Sequence, residues 1–182
     1  MTNTLRSAAF AVLFACAAAC GGASDDTATS SQDLNHSFEP IAAFGQVTKA
    51  AAPYTSNVVA VSLQAQRAKG SRATSVSGYT WIWTVMGDNG TFVDVQVSAS
   101  GATVLDAAPR RLYAGQGTFD PATVLVDGAD LLTLARLFGL DTPSALSLGT
   151  TLATEGSGPR WAVTADNGTL IIDGVTGESC GE

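Results

Sequence analysis

Few side chains in this 182-residue chain can do covalent or acid–base chemistry. His36 is the only histidine, and the cysteines are Cys16, Cys20 and Cys180. One histidine in a polar stretch leaves no Ser/His/Asp or Cys/His set and no HExxH pair, and it reads as a solvated residue rather than a base or metal ligand. No CxxC pair occurs, and no Gly-x-Gly-x-x-Gly run opens a helix after a strand. Asp88, Asp94, Asp166, Asp173 and Glu178 fall in or near turns. Paired carboxylates can hydrolyse by general acid–base catalysis, but the turn preference of Asp already accounts for Asp88 and Asp166. Asp-Asn-Gly at 88–90 and again at 166–168 opens like a calcium loop, yet no third acidic ligand or bidentate Glu follows at the needed spacing. The chain is therefore expected to be no enzyme and to hold no cofactor and no metal.

The chemistry expected of Cys20 is acylation. Arg6 gives a short positive start, residues 7–15 are apolar, and Ala17-Ala18-Ala19 leads to Cys20, so 1–19 reads as a signal peptide. The apolar run before Cys20 is about 13 residues, whereas a membrane-crossing helix needs roughly 20. Small residues before a cysteine resemble the bacterial lipobox, which implies lipidation of Cys20 with fatty acyl (palmitate-type) chains. Ala17 stands where that motif usually has Leu. Ala17-x-Ala19 also fits an ordinary signal peptidase that would release the chain, so both processing outcomes stay open. Gly21 in place of an Asp favours the outer membrane of a bacterial cell envelope, with a periplasmic or secreted product as the alternative. Residues 20–37 are small, polar and acidic, and form a flexible tether. Cys180 is then either a lone surface thiol or, if Cys20 is not acylated, its disulfide partner.

Sixteen acidic and nine basic residues give a formal charge of -7, with no Lys/Arg cluster to meet a phosphate backbone, so nucleic acid is not an expected partner. At 46% hydrophobic, the rest of the chain can bury a core. Trp83, Val85 and Asp88-Asn89-Gly90-Thr91 recur as Trp161, Val163 and Asp166-Asn167-Gly168-Thr169, each 78 positions later. This spacing predicts an internal duplication. Asn-Gly between alternating apolar runs predicts a hairpin in each copy. A two-residue turn at Asn167-Gly168 sets Val163 opposite Ile172. The same turn in the first copy would set Val85 against Asp94, so a longer loop or bulge is expected there.

Apolar residues at helical spacing predict helices over 38–52 and 126–138, with strands over 57–66 and 146–152. The expected fold is α+β: two tandem helix-plus-antiparallel-sheet units, αβββ each, over 38–106 and 122–180. Residues 107–121 form the connector, and the aperiodic stretch extends back to 101. Residues 70–78 read as a loop inserted in the first copy. Each helix would cover its own sheet.

Pro159-Arg-Trp161-Ala-Val163, then Leu170-Ile171-Ile172-Asp173-Gly-Val-Thr176-Gly177-Glu178, resembles the PepSY-type module, with its Trp-x-Val strand and its Val-Asp-x-x-Thr-Gly-Glu ending. The tandem architecture is similar to that of β-lactamase inhibitory proteins. The resemblance implies an exported, non-catalytic module, and the lipobox-like run before Cys20 would hold it to the membrane by its lipid. It would bind a protein or peptide and inhibit an envelope peptidase or hydrolase; the alternative is a structural or adaptor lipoprotein without inhibitory activity. Trp83 and Trp161, at the repeated position, are expected in the core. Tyr79 and Trp81 are not repeated, and with the 70–78 loop they are the expected binding surface.

Overall fold

Every second residue from Tyr79 to Val85 is buried, as are Val93, Val95 and Val97 on the facing strand, so these segments form a sheet with one apolar face. The structure, a computed structural model, describes residues 38–68, 70–113, 115–150 and 158–180. It has seven strands: β1 (Val59–Arg67), β2 (Tyr79–Met86), β3 (Thr91–Ser98), β4 (Gly101–Pro109), β5 (Ala145–Gly149), β6 (Arg160–Ala165) and β7 (Gly168–Asp173). They make one antiparallel sheet in the order β4-β3-β2-β1-β5-β6-β7. Two short helices, α1 (Phe44–Ala51) and α2 (Gly128–Leu137), contribute buried residues to a single core cluster.

This overturns the expected pair of separate αβββ units. The strands β1 and β5 pair directly, with Leu63 opposite Leu148 and Ala65 opposite Leu146. As edges of two independent sheets they would each have left a row of unpaired main-chain groups; pairing satisfies both rows and merges the cores. The strand β4 was also unforeseen and crosses the expected unit boundary at 106. Its sequence lacks alternation because it is an edge strand with a bulge opposite Asp94/Val95, and none of its residues is fully buried.

The repeated tetrads make different turns. In the first, Gly87 N donates to Thr91 O at 3.0 Å and Gly90, at φ 72°, closes a three-residue loop, as the Val85/Asp94 mismatch anticipated. In the second, Ala165 pairs with Gly168, so Asp166-Asn167 form the turn rather than Asn167-Gly168. The register differs from the expected one by two residues: Val163 faces Leu170, and Ile172 faces Trp161. A shift of two leaves every side chain on the same face, and it sets a large apolar side chain opposite Trp161.

The core row runs across all seven strands: Val104, Val95, Trp83, Leu63, Leu148, Trp161, Ile172. Trp83 and Trp161 have no exposed surface. Their Nε1 groups donate to Pro40 O at 3.0 Å and to Val126 O at 2.9 Å, the carbonyls just ahead of the two helical segments. Those segments also clasp one another. Asp127 caps α2 by accepting from Gly128 N at 2.7 Å, and it accepts from Ile41 N at 3.0 Å and Ala42 N at 3.2 Å as well. In return, Glu39 Oε2 accepts from Ala129 N at 3.5 Å. Burial raises the Asp127 carboxyl above the usual range, against the pull of these three main-chain donors.

Removing the Asp127 carboxylate leaves three N–H groups short of an acceptor. Asp127→Ala is expected to lower unfolding free energy by about 1–3 kcal/mol, read as an earlier urea midpoint at unchanged slope. A loss below about 0.5 kcal/mol would show that the clasp contributes little.

Candidate functional site: the uncovered sheet face

Tyr79 and Trp81 do not form an exposed surface. They are 6% and 1% exposed and point to the same face as Trp83, because alternate residues of one strand share a side. Tyr79 Oη donates to Pro143 O at 2.8 Å, and Trp81 Nε1 to Val76 O at 2.9 Å. Both rings are core residues whose polar atoms are satisfied by the main chain. The 70–78 loop, by contrast, does border a groove: Thr74 to Ser77 face Leu132, Thr133 and Arg136 of α2 across about 520 Å³. The Arg136 guanidinium there already donates to Thr74 O. Cys20, His36 and the 20–37 tether lie outside the described residues. Cys180 is a free thiol, partly exposed, whose main-chain N donates to Ile171 O at 2.9 Å.

The carboxylates singled out above have separate duties. Asp88 accepts from Ser56 Oγ at 3.0 Å and Asn57 Nδ2 at 2.8 Å, tying the first hairpin tip to the loop after α1. Asp94 lies directly opposite Asp106, a pair that sequence spacing did not reveal because a bulge sets its register. Arg110 bridges the two, 2.8 Å from Asp94, and Thr84 Oγ1 donates to Asp94 at 2.8 Å. With Arg110 and Thr84 already bonded to them, these carboxylates are engaged in holding β3, β4 and β2 together. Asp173 Oδ1 accepts from Val175 N at 2.8 Å and Thr176 N at 2.9 Å, and Thr176 Oγ1 accepts from Glu178 N at 3.2 Å. The Asp-x-x-Thr-Gly-Glu stretch is thus a turn that folds the tail back along β7, where Ser179 bridges Ile172.

Both helices pack on the tryptophan side, and among the described residues no helix lies on the other face. One row of that face, Thr103, Gln96, Ile82, Gln64, Ser147, Ala162 and Ile171, is exposed or half-exposed throughout. The next row runs Asp106, Asp94, Thr84, Ser62, Gly149, Arg160, Asp173. Over β1, β5 and β6 the face dips into a cavity of about 390 Å³ that both Arg160 and Thr150 line. In these two residues, Arg160 Nε and Thr150 Oγ1 are buried without a hydrogen-bond partner. Neither residue was singled out from sequence. The available signal was Arg160 at an outward position of a strand whose inward positions are Trp161 and Val163.

No family model matches the chain, and no curated protein does. Among solved structures, the chain is similar to the crystal structure of a provisionally named lipoprotein from Clostridium difficile 630. The identity is 10% and the TM-score 0.49, over 74% of this chain and 87% of that one.

The main-chain N–H groups of Thr176 and Val175 hold the Asp173 carboxyl below the usual range, with help from the Thr176 hydroxyl and the charge of Arg160. The folded value is below the unfolded one, which is near 4 as a rough reference. Its stabilisation is therefore complete above that pH and lost as pH falls through the folded value. Asp173→Asn is expected to lower the urea midpoint at pH 7, and the gap to the parent should narrow at acid pH, well below about 4. An equal gap at both pH values would assign the effect to geometry rather than charge.

Proposed function

We propose that this is an exported, lipid-anchored, non-enzymatic module that binds a protein or peptide on the uncovered face of its sheet, so restraining an envelope peptidase or hydrolase. The observation that carries the reading is the cross-strand row from Thr103 to Ile171. It is a broad face of small, amide and hydroxyl side chains with Ile82 and Ile171 set among them, and no helix of the described residues packs on it. A face mixing polar donors with scattered apolar contacts suits a non-obligate partner. The resemblance of the Trp161-x-Val163 strand and the Asp173-x-x-Thr176-Gly177-Glu178 turn to PepSY-type modules supports an exported binding role. The Ala17-Ala18-Ala19-Cys20 run supports the lipid anchor, with Cys20 as the first mature residue and the outer membrane as its site.

The anchor predicts a mature protein whose intact mass begins at Cys20 and carries added acyl mass. Cys20→Ala should shift the chain from the membrane fraction to the soluble one; an unlipidated mature form would remove the anchor from the reading.

The face is tested by placing a photo-crosslinking amino acid at Ile82 or Ala162, and at Leu137 on α2, in the full chain in its own cells. Adducts of one discrete mass from the first two positions and none from Leu137 are expected. The reverse pattern would move the surface to the helical side. A crosslinked hydrolase should lose activity when the purified chain is added, and unchanged turnover would leave an adaptor role instead.

A further inference from the structure

Arg110 and Arg160 stand toward opposite ends of the uncovered face, and of the two only Arg110 makes an ion pair among the described residues. Arg110 bridges Asp94 and Asp106. Arg160, four strands further along the same register row, has no carboxylate within 4 Å among the described residues. Its cross-strand neighbour is Asp173, whose Oδ1 is already taken by Val175 N and Thr176 N. A buried donor without an acceptor is costly, and a guanidinium is built to meet a planar carboxylate with two parallel hydrogen bonds. Thr150, which lines the same cavity, carries the second unsatisfied atom, Oγ1, and it can donate. Gln64 and Gln116 also line that space, and their side-chain amides match the donors and acceptors of a peptide backbone.

We propose that the cavity over β1, β5 and β6 is a carboxylate-binding subsite, in which the Arg160 guanidinium and the Thr150 hydroxyl hold one carboxylate of a docked peptide. The inference rests on the uncovered face being the docking surface and names what that surface recognises. Among the described residues, Arg160 is the single cationic residue lining the cavity, on a chain of net charge -7, which disfavours a phosphate dianion relative to a monoanion. The ~390 Å³ of space is of the size that holds a short peptide end or an acidic side chain with its neighbours.

The test is titration of the nitrogen-15-labelled full chain in detergent, following the Arg160 Nε–H resonance. Three probes are used: acetyl-Ala-Ala-Ala with a free carboxylate end, acetyl-Ala-Glu-Ala with an amidated end, and acetyl-Ala-Ala-Ala with an amidated end. At least one of the first two should shift the Arg160 signal saturably, and the neutral third should not; whichever of the two binds more tightly identifies a chain end or a side chain as the source. Arg160→Gln should weaken that binding roughly 10- to 100-fold, and Thr150→Val several-fold, the scale of a charged and a neutral hydrogen bond. Both variants should keep the parental melting temperature to within a few degrees.

Equal binding of the neutral probe, or parental affinity in Arg160→Gln, would overturn the proposal. So would inorganic phosphate competing as well as the peptides. If the carboxylate probes fail while crosslinks at Ile82 and Ala162 persist, the subsite is wrong and the docking face stands. If the probes bind and the crosslinks are absent, the subsite stands without a protein partner.

Discussion

The indole N–H groups of Trp83 and Trp161 are sealed from solvent, so each must find an acceptor inside the protein or cost about 1–3 kcal/mol. Each finds the carbonyl that precedes a helical segment, Pro40 for one and Val126 for the other. This sets where both helical segments begin above the sheet. Once they begin there, their starts are close enough for Asp127 to accept from Ile41, Ala42 and Gly128. Pro40 Cδ and the Val76 methyls would then be only 3.0 and 3.1 Å from a Cβ at position 128, so a glycine suits the first turn of α2. Burying the rings and satisfying their N–H groups are one constraint, and the placement of the two helices follows from it.

With the tryptophans and both helices on one side, the other side of the sheet carries polar and small residues with Ile82, Phe92 and Ile171 among them. Charge on that side is arranged unevenly. At one end, Asp94 and Asp106 would repel each other across β3 and β4, and Arg110 removes the conflict. At the other end, Asp173 is consumed by its own turn, and Arg160 retains unused hydrogen-bonding capacity. The two ends of the face thus differ in how fully their charged groups are satisfied. The aromatic residues of the other face, by contrast, have their polar atoms satisfied by the main chain.

The repeated Asp-Asn-Gly-Thr tetrad shows how far local sequence reaches. In both copies it makes a hairpin turn, because Asp, Asn and Gly all favour tight reversals. The loop length differs, three residues in the first and two in the second. In the first, Asn89 Oδ1 accepts from Thr55 Oγ1 at 2.8 Å and from Thr91 N at 2.9 Å, which holds the wider loop. In the second, Asn167 Nδ2 donates to Gly139 O at 3.0 Å beyond the end of α2. Identical tetrads take different shapes because different neighbours approach them.

Alternation along 79–86 and 91–98, a helix within 38–52 and another within 126–138, and the burial of Trp83 and Trp161 were legible in the amino-acid sequence, since each depends on spacing within a few residues; the helices themselves are shorter, Phe44–Ala51 and Gly128–Leu137. The same spacing placed Tyr79 and Trp81 on the Trp83 side, and only their lack of a repeat argued for exposure. The merging of two sheets through β1 and β5, the bulged edge strand β4 and the facing pair Asp94/Asp106 were decided by tertiary structure. So was the unpartnered Nε of Arg160. Each of these depends on which distant strand lies alongside, and pairing between strands is settled by satisfying main-chain edges and filling one shared core rather than by any local pattern.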